Sequence, residues 1–386
     1  MNIDEFLGVL LDLETSKNLK EEVEKEVIPY PHIEFKREDL ITMVKLSSSI
    51  INLKSTQVVP KAITIVFDEE GYKMVVNNDL EYVEYRFDVL NKENRLLDTI
   101  CLPLELVNSF IRLTGDKIVI YKNDGLFVKL LVDGDLFLEL PIPESALLRR
   151  PITDLGGKGL QVSCKHLKEA LKALIPIAEE EITLDRRKLN FLSDRVYTNS
   201  LGYFMEYKLE LPEFRISLRF AKVLEKICSV LSDSGYLEFK EDKSSRIIVK
   251  CGRLLFTSLV SKSIKEDKVI EFLNRVEEYK DLLVDFKEFD RIVGMAYSLP
   301  NSKGEVKIKY NNGLVISIPT RSKVNSFKVN CKEVGKVKAK NEISIPVKNL
   351  KKLVDSFSSV SGEVIFTILD GGLVIRKGNL VGVLLV

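Results

Sequence analysis

The clearest pattern of apolar and polar positions lies at the end of the chain, from Glu342 to Val386. Ile343-Ser344-Ile345-Pro346 alternates as a short strand does. Val347, Leu350, Leu353, Val354 and Phe357 then recur at spacings of three and four, as on a helix with one buried face. Ser361-Gly362 stops that helix. Two apolar strands follow, joined at Asp370-Gly371-Gly372, residues that favour a tight hairpin. The last strand, Leu380 to Val386, ends the chain.

The same unit recurs upstream. With Ile343 as position zero, apolar residues occupy positions 0, 2, 7, 10 and 11. Ungapped matches fall at Leu282, Val284, Phe289, Ile292 and Val293, and at Ile216, Leu218, Val223, Lys226 and Ile227. Others are Leu160, Val162, Leu167, Ala170 and Leu171; Ile100, Leu102, Val107, Phe110 and Ile111; and Ile33, Phe35, Leu40, Met43 and Val44. Across these six copies Lys226 alone is polar, so the repeat governs how everything else is read.

A longer period sits above the short one. Ile100, Ile216 and Ile343 lie 116 and 127 residues apart, so two strand–helix–strand modules fill each unit of about 120 residues, a plausible domain. The Pro- and Gly-rich stretch from Pro151 to Gly159 and the charged one from Ser261 to Lys280 mark the boundaries. The division expected is an N-terminal extension at 1–32, then domains at 33–150, 151–265 and 266–386. Within the extension, Met1 to Leu13 reads as a small amphipathic helix and Lys17 to Glu26 as a charged one. Strands such as Ala62 to Phe67 and Lys117 to Tyr121 far outnumber helices. The fold class is therefore α+β, with helices on one face of largely antiparallel sheets.

Composition narrows the function. Charged residues are 30% and hydrophobic residues 45%, as in an ordinary soluble globular protein. The net charge of +1 excludes a uniformly basic nucleic-acid binder but not segregated charge. Five scattered cysteines indicate a reducing compartment without a disulfide framework. The N-terminus has neither the pattern of a secretory signal nor an apolar run able to span a membrane, so a cytoplasmic location is expected.

The face of each repeat helix opposite its apolar stripe falls at template positions 5, 9 and 12. It holds Glu38, Thr42 and Lys45; Glu105, Ser109 and Arg112; Lys165, Glu169 and Lys172; Ala221, Glu225 and Cys228; Lys287, Arg291 and Gly294; and Lys348, Lys352 and Asp355. Eight of these are basic and five acidic, an excess of +3 in a chain of net +1, with Lys168, Lys222 and Lys351 beside them. A solvated helix surface explains the excess as well as a polyanion-facing one. Geometry separates the two. Six helices set side by side at about 10 Å each would close on an opening of roughly 9 Å, too narrow for a duplex whose major groove alone is about 12 Å. Twelve helices, from two chains, would leave roughly 28 Å. Six modules thus suit half of a ring closed by head-to-tail contacts.

Three domains of two modules resemble the bacterial DNA sliding clamp, the β subunit of the replicative DNA polymerase III. Gly252-Arg253-Leu254-Leu255-Phe256-Thr257-Ser258 is similar to that family's second-domain G-x-x-x-F-T-S strand. Glu342 to Phe357 resembles the opening of its last half-domain, and the apolar C-terminal strand ends the chain as in the family. The resemblance covers residues 33–386. It implies a homodimeric ring with helices lining the pore and sheets outside, encircling double-stranded DNA without regard to sequence. Lys45, Arg112, Lys165, Lys172, Lys287, Arg291, Lys348 and Lys352 would then face DNA. It also implies that DNA polymerase and clamp loader dock by a short peptide motif between the second and third domains. Carried over by position, that groove would use Ala170, Leu174, Gly202, Tyr203, Met205, Leu384, Leu385 and Val386. The family's T-D-G-H-R-L stands here as Ser200-Leu201-Gly202-Tyr203-Phe204-Met205, and its F-P-D-Y is replaced by Ser261 to Asp267. Such departures bear on which peptides the groove takes, and a divergent or phage-encoded clamp would carry them. The alternative is a clamp-like scaffold that binds protein partners as a monomer.

Catalytic signals are weak. Two histidines, His32 and His166, leave little for a histidine triad, and Cys164-Lys165-His166 lacks a second ligand pair. Gly156-Gly157-Lys158-Gly159 misses the first glycine and the hydroxyl residue of a phosphate-binding loop. Glu179-Glu180-Glu181 and Asp68-Glu69-Glu70 read as solvated acidic turns. No cofactor, metal site or enzymatic activity is expected.

Overall fold

The computed structural model describes residues 30–51, 61–78, 81–110, 115–123, 127–133, 136–141, 159–183, 187–200, 202–230, 235–242, 246–261, 271, 282–299, 304–310, 313–320, 323–334, 342–369 and 371–386. The two helices expected before residue 30, Arg112, and most of both boundary stretches lie outside the described residues.

Six helices occur among the described residues: α1 (Arg37–Ile50), α2 (Leu104–Phe110), α3 (Cys164–Ala178), α4 (Leu218–Val230), α5 (Phe286–Ser298) and α6 (Val347–Ser356). Each follows a strand of three to five residues almost without a break. The switch is local: alternation gives way to spacings of three and four, and a polar side chain can satisfy the first free amides. Asp285 does so for α5, accepting hydrogen bonds from the Lys287 and Glu288 amides at 3.1 and 3.2 Å. In α4 the Ser217 hydroxyl accepts from the Phe220 amide at 3.1 Å.

The apolar template positions form the core. Leu40, Met43, Leu167, Leu171, Phe289, Ile292, Leu350 and Leu353 are essentially inaccessible, and all belong to one continuous cluster between helices and sheets. Phe289 meets Phe366 edge to face with ring centroids 4.6 Å apart, a contact worth about 0.5–1.5 kcal/mol beyond burial.

The strands make four antiparallel sheets, and two of these cross the borders that the sequence repeat predicts between domains. An eight-stranded sheet joins the first domain to the second where Glu81–Arg86 pairs with Leu254–Leu259, from Tyr85 opposite Leu254 to Glu81 opposite Ser258. A nine-stranded sheet joins the second to the third where Tyr203–Lys208 pairs with Leu380–Leu385, Tyr207 standing opposite Leu380 and Tyr203 opposite Leu384. The two seams are built from equivalent strands in the same register. Two four-stranded sheets remain. One has Leu136–Pro141 as its edge, topologically the counterpart of Leu254–Leu259 and Leu380–Leu385. The other has Val324–Val329 as its edge, the counterpart of Glu81–Arg86 and Tyr203–Lys208.

One repeat was misaligned by the sequence pattern. In five copies the helix begins four residues after position zero, whereas α4 begins only two residues after Ile216. The fourth copy therefore starts at Phe214, which is buried along with Ile216. Phe214, Ile216 and Leu218 all fit a period of two, so the template slid by one repeat of the pleat. Lys226, its lone polar exception, is exposed.

Candidate nucleic-acid interface

The helices form one continuous row: α2 lies against α1, α1 against α4, α4 against α3, α3 against α6, and α6 against α5. Neighbours touch within a domain and across both seams, so a single helical wall runs the length of the chain. Lys45, Lys165, Lys172, Lys287, Arg291 and Lys348 are exposed on their helices, as the repeat requires. Lys352 differs. It is only partly exposed and is ion-paired with Glu180 just past the end of α3, tying α6 to α3.

The corrected fourth copy changes the map. Ala221 and Cys228 are completely buried, so they leave the outward face assigned to them from the repeat. Arg219, Lys222 and Lys226 take it over, all exposed and three to four residues apart. The signal for them was the lysine that broke an otherwise apolar column.

Acidic residues organise the wall instead of dangling from it. Glu81, on the seam strand, is pushed up from the usual carboxylate range by burial, and Arg219 at 3.1 Å draws it back down. Glu179, expected to be merely solvated, holds Lys222 at 2.6 Å across α3 and α4. Away from the helices, on the other face of the sheet, Asp68 pairs with Lys73 and Glu70 with Arg86.

The residues implied for the peptide groove fall into two groups. Gly202, Tyr203 and Leu384 to Val386 converge at one end of the second seam, where the Leu385 amide donates to the Gly202 carbonyl at 2.8 Å. Gly202, Leu385 and Val386 are exposed there. Ala170, Leu174 and Met205 lie at 0% exposure and Leu384 at 1%, beneath the surface of the main core. Tyr203 is nearly buried as well, and its hydroxyl is pushed up to about 12 by burial and then by the Glu180 charge. Gly382 explains the tight packing: a Cβ there would stand 2.8 Å from Leu353 Cδ1 and 2.9 Å from Phe357 Cε2. A docking peptide would touch the exposed group directly and the buried group only through it.

Among the described residues no cluster of His, Cys, Asp and Glu has the form of a metal site, and no helix is long and apolar enough to cross a membrane.

No protein-family model matches the chain, and no curated protein matches it. Solved structures do. The chain is similar to the DNA polymerase III subunit beta from Pseudomonas aeruginosa, with TM-score 0.70 and 14% identity over 92% of this chain and 99% of that one. It is similar to the DNA polymerase III beta subunit from Thermotoga maritima, with TM-score 0.72 and 11% identity over 92% and 98%. The DNA polymerase sliding clamp from Bacillus subtilis gives TM-score 0.69 and 14% identity over the same shares. At such identities the likeness shows the fold: this chain has the sliding-clamp fold over nearly its whole length.

Proposed function

We propose that the chain is a DNA sliding clamp, a non-catalytic processivity factor with domains at 33–150, 151–265 and 266–386. Two copies close head to tail into a ring around duplex DNA. The observation that carries this reading is the repetition of the seam. Each inner seam joins one strand type to another in one register, and the two four-stranded sheets leave one free edge of each type among the described residues. The same pairing applied once more joins Val324–Val329 of one copy to Leu136–Pro141 of the next. Two chains of three domains then pair both of these edges, consistent with the pore width that twelve helices allow.

The helical wall, with its surplus of lysine and arginine, faces the duplex. Basic side chains displace counterions from phosphates without reading bases, so the attraction is sequence-independent, salt-sensitive and compatible with sliding. Gly202, Leu385 and Val386, with Tyr203 and Leu384 beneath them, form the outward part of a site for the short peptide motif of a polymerase and a clamp loader.

The deciding experiment is retention on DNA. After loading, the protein should stay on nicked circular DNA and leave the same DNA once it is linearised. Equal loss from both would reject encirclement. A second reading, a monomeric clamp-like scaffold, draws on one observation. The free edge strand has Ser326 and Phe327 where the inner seams have Glu84 with Tyr85 and Glu206 with Tyr207, so closure lacks contacts that the inner seams possess.

A further inference from the structure

A pocket of about 430 Å³ opens at one end of the first seam. Three arginines, Arg86, Arg95 and Arg253, stand over a nearly buried floor of Tyr72 and Phe87. Arg86 and Arg95 belong to one side of the seam and Arg253 to the other, and the Arg86 amide donates to the Arg253 carbonyl at 2.9 Å. The pocket sits at the Arg86 end of its strand. The exposed cluster of Gly202, Leu385 and Val386 sits at the opposite end of the equivalent strand pair, so the two sites lie far from each other along the seam direction.

The arginines have capacity to spare. Arg86 pairs with Glu70 and Arg253 with Asp88, but these carboxylates are 57% and 76% exposed, and such pairs exchange readily. Arg95 is exposed, its Nε donates to the Asn91 carbonyl at 3.1 Å, and it forms no ion pair among the described residues. Apolar side chains beside the pocket also stand in solvent: Phe67 at 40%, Leu90 at 38% and Leu97 at 58%. Phe67 packs on Tyr72 with ring centroids 4.9 Å apart, Leu90 follows Val89 of the pocket lining, and Leu97 follows Leu96, whose carbonyl accepts from the Tyr72 hydroxyl at 2.9 Å.

Arginines and apolar side chains so arranged suit a segment that offers carboxylates and apolar residues together. The chain carries one close by. Residues 1–29 hold eight acids and three lysines, a net charge of −5 in a chain of net +1. Within Lys17 to Ile28, Leu19, Val23 and Val27 recur every fourth residue with Glu22 and Glu26 among them, all on one side of a helix. The chain that follows is anchored next to Arg95. Asn94 Nδ2 donates to the Tyr30 carbonyl at 2.9 Å, the His32 amide donates to the Asn94 carbonyl at 2.9 Å, and Tyr30 stacks on Tyr121 with centroids 5.8 Å apart. Glu26 is four residues from that anchor, about 13 Å of extended chain, so the tether keeps the segment at high effective concentration.

We infer that this pocket is a carboxylate-binding site whose occupant is the chain's own segment Lys17 to Ile28. Its glutamates meet the three guanidinium groups, which suit carboxylates by their fork of donors, and Leu19, Val23 and Val27 cover Phe67, Leu90 and Leu97. Because Arg253 lies across the seam from Arg86 and Arg95, the docked segment straps the seam. It leaves the cluster at Gly202 uncovered, and it depends neither on ring closure nor on DNA.

The test is hydrogen exchange of the amides of residues 17–28 in the full chain. Exchange should be slowed, and the protection should weaken as salt screens the charge pairs. Arg95→Glu should speed this exchange about tenfold, the weight of two exposed charge pairs, and so should Glu22→Lys combined with Glu26→Lys. All three changes together should restore most of the protection. An unchanged circular dichroism spectrum verifies that each variant is folded. Protection absent from the natural chain, or equal in Arg95→Glu, would overturn the site, since a helix standing free is indifferent to Arg95. Protection that fades on dilution would put the segment on another copy and overturn docking within the chain.

Discussion

The Tyr85 hydroxyl donates a hydrogen bond to Asp39 Oδ1 at 2.7 Å, fastening the strand at the first seam to α1. The equivalent residue at the second seam, Tyr207, does the same to Glu169 of α3 at 2.8 Å. On the opposite face of the same strands lie two more equivalents, Glu84 and Glu206, both essentially inaccessible. Glu84 accepts from the Tyr82 hydroxyl at 2.8 Å, and Arg195 donates to Glu206 at 3.0 Å. The covalently continuous seams thus share a fastening that the free edge strand, with Phe327 at the tyrosine position, does not have.

Tyr85→Phe is expected to destabilise the chain by about 1–3 kcal/mol, because it strips the hydroxyl from a carboxylate that is itself mostly buried. Denaturant unfolding would show this as a lower midpoint with an unchanged slope. A midpoint equal to that of the natural chain would mean the bond is idle.

The same fastening makes the chain sensitive to alkali. Burial first, and then the bond to Asp39, push the Tyr85 hydroxyl up to about 12, and Tyr207 is raised by burial and by Glu169. An unfolded tyrosine ionises near 10. Because the folded value is the higher, this stabilisation is complete below pH about 10 and is lost as the pH climbs towards 12. The unfolding midpoint should fall over that window, and fall less steeply in the Tyr85→Phe, Tyr207→Phe double variant. Parallel curves would refute the assignment.

Much of this organisation was legible in the sequence. A column of apolar residues at fixed offsets is a direct record of which side chains meet the core, and it located five of six helices in register. It failed at α4 because Phe214, Ile216 and Leu218 satisfy the pleat period equally well; the start of the helix at Leu218 and the burial of Ala221 and Cys228 resolve the slip. The site was less legible. Lys352 and Glu180 are 172 residues apart, and nothing local in either segment marks them as partners. Equally, exposure is a property of the packed molecule: Leu384 stands next to exposed Leu385 on its strand yet is sealed in the core, as Gly382 is beneath α6.

Gly382→Ala would test that seal. The added methyl meets Leu353 and Phe357, both fully buried and unable to turn away. Overpacking of this kind costs about 1–3 kcal/mol, measurable as a lower unfolding midpoint. Gly382 does not sit at a positive φ, so a loss would report the close approach of α6 and not backbone strain. No loss would mean that α6 can lift from the strand.

Lys348 and Lys352, one helical turn apart on α6, should behave differently. Lys348 is exposed, and Lys348→Ala should reduce the salt slope of duplex binding by about 0.9 with little change in stability. Lys352 is engaged by Glu180, so Lys352→Ala should cost up to about 1 kcal/mol of stability and leave the slope nearly intact. Equal effects on the slope would show that the ion pair opens readily to phosphate.

Closure between copies can be probed without touching the helical wall. Transposing the inner-seam register sets Phe327 opposite Leu136 of the next copy, Ser326 opposite Phe137, and Val324 opposite Glu139. Val324 is 62% exposed in the single chain, so changing it leaves the core alone. Val324→Asp would put like charges at one paired position and remove apolar contact, weakening association by about 1.4 kcal/mol, tenfold in dissociation constant. Light scattering across a dilution series reads this directly. The natural chain should hold a mass near twice 43.9 kDa to lower concentration than the variant, which falls to 43.9 kDa first. Coincident curves would place the contact between copies elsewhere than on these two edges.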